Sequence, residues 1–104
     1  TLTIGNYIAV NMIADFRRRF PEADIVLHVA NTEAIAERVA RFELDMGLIE
    51  GEMQHPDLEI ARWRDDELVV FAAPGHPLTR AAALSDADLV ALPWIVRERG
   101  SGTR

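Results

Sequence analysis

Between residues 6 and 20 apolar side chains return at every fourth position, at Ile8, Met12, Phe16 and Phe20, and Ile13 follows three after Val10. That spacing predicts an amphipathic helix. Pro21 ends it, because proline disfavours helical geometry in the residue before it. Asp24 to Ala30 is a β-branched, nearly continuous apolar run, the pattern of a strand buried on both faces of a parallel sheet. His28 falls inside that run and is expected as a hydrogen-bonded core histidine. Asn31 and Thr32 are good N-cap residues, and Glu33 places a negative charge in the first turn of a second helix. This helix should run to about Phe42, with Ile35, Val39 and Phe42 on one stripe and a Glu37–Arg41 pair on its outer face. Leu44 to Ile49 reads as the next strand, closing on Glu50-Gly51. Alternation at this spacing is the rhythm of right-handed β-α-β crossovers.

Beyond Gly51 the rhythm changes. Met53 to Asp57 contains His-Pro and reads as a loop. Leu58 to Arg62 and Glu67 to Ala73 read as two strands joined by Arg64-Asp65-Asp66, too close for a helical crossover. Pro74-Gly75-His76-Pro77 is a break. Ser85 caps a short helix, with Asp88 reaching back from three residues on. Pro93 to Arg97 is another short strand, and Gly100-Ser101-Gly102-Thr103-Arg104 has the composition of a helix start. The fold class expected is α/β, a mostly parallel sheet with helices on both faces, truncated at both ends. A strand should precede Thr1 and a helix should follow Arg104. No internal repeat is visible.

Composition narrows the function classes. At 104 residues, 49% hydrophobic and 27% charged, the chain is one globular domain or less. No apolar run approaches the roughly 20 residues of a membrane helix, so no membrane partner is expected. The first 20 residues lack the pattern of a secretory signal. With no cysteine there is no disulfide, thiolate metal site or cysteine nucleophile, which suits a cytoplasmic location. A net charge of −6 opposes nucleic-acid binding by this segment. The basic cluster Arg17 to Arg19 sits late in the first helix, where it complements the negative helix end.

In an open parallel sheet, ligands bind beyond the carboxyl ends of the strands, where the following helices begin. Three segments hold such places: Thr1 to Gly5, Asn31-Thr32, and Ser101-Gly102-Thr103. Each sets hydroxyls or a carboxamide beside free backbone N–H groups at the positive end of a helix, a cradle for a carboxylate, sulfate or phosphate group. The same residue types also cap their own helices; convergence on one crevice is what distinguishes a site. Glu50, at a strand's carboxyl end, faces that crevice, sits in a rim ion pair, or is simply exposed. Catalytic and metal sites are not expected. His28, His55 and His76 are far apart in sequence, and none stands at ligand spacing with another histidine or a carboxylate. His55 and His76 each precede a proline in a turn and should be solvated. Neither Ser85 nor Ser101 lies in a G-x-S-x-G setting. No lysine follows Gly100-Ser101-Gly102, and none occurs in the chain. Trp63 and Trp94 read as packing residues.

An ordered series of motifs resembles a known family. It comprises Thr3-Ile4-Gly5-Asn6-Tyr7, Phe16 to Phe20 with Pro21, Asn31-Thr32-Glu33, and Leu44-Asp45-Met46-Gly47-Leu48-Ile49-Glu50-Gly51. It continues through Trp63, Asp66 to Val70, Pro74-Gly75-His76-Pro77-Leu78 and Pro93-Trp94-Ile95 to Gly100 through Arg104. In content, order and spacing the chain resembles the effector-binding domain of LysR-type transcriptional regulators, in particular the branch that senses sulfur- or carbon-assimilation signals. Val10-Asn11 departs from the family's Leu-Pro at that place. The resemblance implies a periplasmic-binding-protein-like (type 2) fold of two lobes with a small anionic effector between them. Residues 1–70 would then be the first lobe without its first strand, and 71–104 the hinge or crossover and the beginning of the second lobe. The effector-binding positions implied are Thr1, Thr3, Asn31, Thr32, Ser101 and Thr103, with no cofactor. DNA would be bound only through a helix-turn-helix domain outside this sequence, by a homodimer or homotetramer, the first helix and second strand contributing to the contact between subunits. Two rivals share the fold: a solute-binding protein feeding a transporter, and a dehydratase of the chorismate pathway, for which the sequence offers no catalytic groups.

Overall fold

A computed structural model describes residues 1–104. The chain divides into two compact units, one built from Thr1–Arg62 together with Arg97–Arg104, the other from Trp63–Val96.

In the first unit the opening helix starts earlier than the apolar spacing suggests. Leu2 and Thr3 are already helical, followed by a π-helical turn over Ile4–Ile8 and the α-helix α1 over Ala9–Arg19. The Ala9 N–H reaches back five residues to the Ile4 carbonyl, which marks the inserted residue of the π-turn. Gly5 permits the close approach here, since a Cβ at that position would lie 2.6 Å from Cγ2 of Val29. The helix stops at Arg19 as Pro21 demands, and Arg17, Arg18 and Arg19 occupy its last turn, against the negative helix end. The Phe16 and Phe20 rings meet at 4.8 Å.

The second helix, α2 (Thr32–Ala40), begins where Asn31 caps it. The Glu37–Arg41 pair forms at 2.8 Å. Its end is a Schellman turn: the Phe42 N–H bonds the Val39 carbonyl and the Glu43 N–H the Arg38 carbonyl, each at 2.9 Å. Phe42 therefore does not continue the helical stripe. It takes the left-handed position of the turn, with φ 58° and 96% of its surface exposed. An L-residue there carries a steric penalty that glycine escapes. Phe42→Gly is expected to stabilise the protein by about 1 kcal/mol, read as a raised denaturation midpoint at unchanged slope; a lowered midpoint would show that the phenyl ring is held by contacts.

The parallel sheet expected from the apolar runs is not seen in the structure of this chain. No residue is in a strand ladder, and the segments 24–30 and 44–49 exchange no backbone hydrogen bonds with each other. The reason lies in what covers them. An apolar run becomes a doubly buried strand only where surfaces close on both faces, and here Val26 is 70% exposed, with Leu27, His28 and Val29 also outside. Their backbone groups are open to hydration instead of paired. His28 is thus an exposed residue and not a core histidine. The buried apolar core is small: Ile4 and Ala9 from the first helix, Ile35 and Ala36 from α2. Met12, Ile13 and Phe16 face Ala23–His28 and Leu44–Leu48 across an apolar trough of about 510 Å³. Gly47 lies tight against α2, a Cβ there falling 2.7 Å from Cγ2 of Ile35.

The second unit holds a 3₁₀ turn, Pro77–Arg80, and a short helix α3, Asp86–Val90. The capping box forms: the Asp88 N–H donates to Ser85 Oγ at 3.3 Å, and the Ser85 N–H to Asp88 Oδ2 at 2.9 Å. Hydrogen bonds from the Ser85 side chain and then its backbone hold the Asp88 carboxyl below its ordinary pKa. The histidines before proline do more than meet solvent. Nδ1 of His55, in the first unit, accepts the Asp57 N–H at 3.2 Å, and Nδ1 of His76, in the second, accepts the Leu78 N–H at 3.3 Å, each anchoring its turn. Trp94 donates to the Leu89 carbonyl at 2.8 Å. No helix is long and apolar enough to cross a membrane.

Candidate functional site

Within the first unit, residues 31–33, 50–51 and 99–103 meet at one corner. Thr32 is its centre, with only 4% of its surface exposed. Its hydroxyl donates to the Glu50 carbonyl at 3.1 Å and accepts the Gly102 N–H at 3.1 Å. A single side chain thereby ties together three segments far apart in sequence. Asn31 works beside it. Oδ1 accepts the Ala34 N–H at 2.9 Å, the cap foreseen from residue type, while Nδ2 reaches the Arg99 carbonyl at 3.5 Å. The Glu33 N–H donates to the Gly100 carbonyl at 3.0 Å. Two of the N–H groups that a helix start leaves free are thus satisfied within the protein, and the positive end of α2 is also its joint to the tail.

The tail contributes two half-buried hydroxyls. Ser101 Oγ and Thr103 Oγ1 lie 3.1 Å apart, and the Thr103 N–H points at Ser101 Oγ from 3.4 Å. Two glycines make the approach possible. A Cβ on Gly102 would sit 1.7 Å from the Glu50 carbonyl oxygen, and one on Gly51, which has φ +81°, would sit 2.3 Å from the Gly102 oxygen. Main chain meets main chain here, with no room for a side chain between.

Thr1 comes to the same neighbourhood. Its backbone nitrogen donates to the Leu48 carbonyl at 3.0 Å. The Glu50 carboxylate lies within electrostatic range of that nitrogen. Thr1 is 8% exposed, yet its Oγ1 has no hydrogen-bond partner, and neither has the buried Oε1 of Glu50. Buried polar atoms are nearly always paired, so these two orphans are unusual. Arg97 also feels the charge of Glu50, but its guanidinium is committed elsewhere: Nε and Nη2 each donate to the Glu98 carboxylate at 2.8 Å. That pairing, helped by Asn31, pulls the Glu98 carboxyl down to about 2.

Asn31, Thr32, Ser101 and Thr103 are therefore brought together by hydrogen bonds within the corner or to the segments that form it, and Thr1 adjoins it through Glu50. Thr3 stands apart. It is exposed, already helical, and its hydroxyl makes no capping hydrogen bond. Sequence reasoning left Glu50 undecided and passed over Gly51 and Gly102 as contact residues. The visible signal was an acidic residue and a glycine closing an apolar run, with a second glycine between two hydroxyl residues. The corner gathers three hydroxyls, a carboxamide and the acceptor-only carboxylate of Glu50.

Comparison with known proteins identifies the family. The sequence model of the LysR substrate binding domain matches residues 1–104. Among curated proteins, the chain is 46% identical over 102 residues to the uncharacterized HTH-type transcriptional regulator YeiE of Escherichia coli K12, covering 98% of this chain and 34% of that protein. It is 38% identical over 104 residues to the HTH-type transcriptional regulator CysL of Bacillus subtilis, covering 100% and 35%. It is 35% identical over 104 residues to the HTH-type transcriptional activator CmpR of Synechocystis, covering 100% and 34%. The chain thus spans about a third of the length of these relatives. No solved structure gives a significant match. With the family match running from the first residue to the last, the chain belongs to the LysR substrate-binding domain family, whose fold is the periplasmic-binding-protein-like type 2.

Proposed function

We propose that this chain is the effector-binding part of a ligand-responsive, cytoplasmic transcriptional regulator, and that it senses a small anionic metabolite between two lobes. The observation that carries the reading is the double hydrogen bond of Thr32, which draws residue 50 and residue 102 to the start of α2. In it, residues 1–70 are the first lobe and residues 71–104 the hinge and the beginning of the second. Thr1, Thr3, Asn31, Thr32, Ser101 and Thr103 offer hydroxyl and amide groups to the anion, supported by the positive end of α2. Effector binding favours one lobe arrangement by its differential affinity for the two. That changes the geometry of a homodimer or homotetramer and of the helix-turn-helix domains that hold DNA. The longer relatives named as HTH-type regulators support this division of labour. The apolar runs 24–30, largely exposed, and 44–49, largely half-buried, are those that would pair as parallel strands in the complete regulator, and the Thr1 bond to Leu48 is the kind of link such a ladder uses.

The test is calorimetric titration of the full-length regulator with small oxyanions and organic acids, beside amide exchange over 24–30 and 44–49. Saturable binding of an anion is expected, weakened about tenfold by Thr3→Val, with slow exchange in both segments. Wild-type affinity in Thr3→Val would remove that residue from the site. Absence of binding by any anion would remove the anionic effector, and fast exchange would remove the sheet.

A further inference from the structure

We propose that Glu50 makes the corner selective for protonation state: it admits a small oxyanion that still carries a hydrogen and rejects a fully deprotonated anion of the same shape. This rests on reading the corner as an anion site, and it names the class of anion. Hydroxyls such as Thr1, Ser101 and Thr103 either donate or accept, and backbone N–H groups only donate, so all of them tolerate a bare oxyanion. A carboxylate only accepts. Set against a deprotonated oxygen, it confronts lone pairs with lone pairs and like charge with like charge. Set against an oxygen bearing hydrogen, it receives a short charge-assisted hydrogen bond.

The geometry leaves Glu50 in need of such a donor. Oε1 is buried and without a partner. Arg97 acts on this carboxylate by its charge but gives Oε1 no hydrogen bond. Arg97 directs two of its N–H donors to Glu98, at 2.8 Å each. Its own backbone carbonyl is held by the Thr32 hydroxyl at 3.1 Å, which fixes the main chain that carries the side chain. Thr1 Oγ1 is a second buried oxygen without a hydrogen-bond partner. A site whose buried acceptor is matched by one ligand and unpaired by another discriminates strongly, by factors that reach about 10⁴.

The experiment uses the full-length regulator and two pairs of anions matched in shape. Phosphate, which retains hydrogen near neutral pH, is compared with sulfate, which does not; bicarbonate is compared with nitrate. Calorimetry on the wild type should give at least one hydrogen-bearing member bound about a hundredfold more tightly than its bare counterpart. Glu50→Gln, which keeps the shape and adds a donor, should shrink that ratio at least about tenfold by admitting the bare anion. Because the readout is a ratio within one protein, a lower overall stability of the variant does not move it. Equal affinity for both members of each pair in the wild type, or an unchanged ratio in Glu50→Gln, would overturn the assignment of Glu50 while leaving the anion site standing. Failure of all four anions to bind both proteins would overturn the anion site and this assignment with it.

Discussion

Gly102→Ala in the complete regulator is expected to lose anion binding by about a hundredfold or more while retaining most of its helical content. The added methyl would lie 1.7 Å from the Glu50 carbonyl oxygen and 2.8 Å from Thr32 Oγ1. Both are inside contact distance, and the nearer is backbone, which cannot swing aside as a long side chain can. The tail must therefore lift away from residue 50. Lifting breaks the Gly102 bond to Thr32, at 3.1 Å, and carries Ser101 and Thr103 with it. Overpacking of this kind costs about 1–3 kcal/mol, and misplacing binding groups by about an ångström costs about a hundredfold where geometry decides the interaction. Circular dichroism and titration with the tightest-binding oxyanion separate the two effects. Unchanged affinity in Gly102→Ala would mean that the tail is not part of the site.

Thr32→Val should be the more damaging change to stability. Valine matches threonine in shape, so the steric fit of this residue, 4% exposed, is kept and only the hydroxyl is lost. Two backbone groups lose their partner together, the Glu50 carbonyl and the Gly102 N–H. Leaving a buried donor or acceptor unsatisfied costs about 1–3 kcal/mol each, so a loss of about 3 kcal/mol is expected, diminished where water reaches the opened corner. Denaturant melts of the full-length protein measure it. Thr32→Ser restores the hydroxyl and should recover most of the loss. Equal destabilisation by valine and serine would assign the role of Thr32 to its methyl group and dissolve the link between residues 50 and 102.

Much of the local structure was readable from residue type alone. Asn31 as a cap, the Glu37–Arg41 pair, the Ser85–Asp88 box and the stop before Pro21 all depend on neighbours within four residues. Their physics is complete within one turn of chain. The end of α2 was not readable, because a phenylalanine is a poor occupant of a left-handed position and nothing nearby marks Phe42 as one. The apolar runs at 24–30 and 44–49 promised burial but could not specify what would bury them. Exposure of Val26, Leu27 and Val29 shows that pattern states a capacity for burial, and covering surfaces decide whether it is used.

For the candidate site the division is similar. Thr1, Asn31, Thr32, Ser101 and Thr103 can be named as candidates because hydroxyl and amide residues at helix starts have a known chemistry, and their order resembles that of a family. The meeting of residues 31–33, 50–51 and 99–103 was not legible, since segments separated by as many as 70 residues leave no periodic trace of their contact. Nor was the need for glycine at 102, which follows from a carbonyl oxygen contributed by residue 50. Sequence alone thus determined the helices, their caps and the family, because these arise from interactions short in the chain or from an ordered set of residue types. Tertiary structure alone decided which backbone atoms touch, which apolar faces stay open and which polar atoms are left without a partner, because each of those depends on distances that the chain sets only once folded.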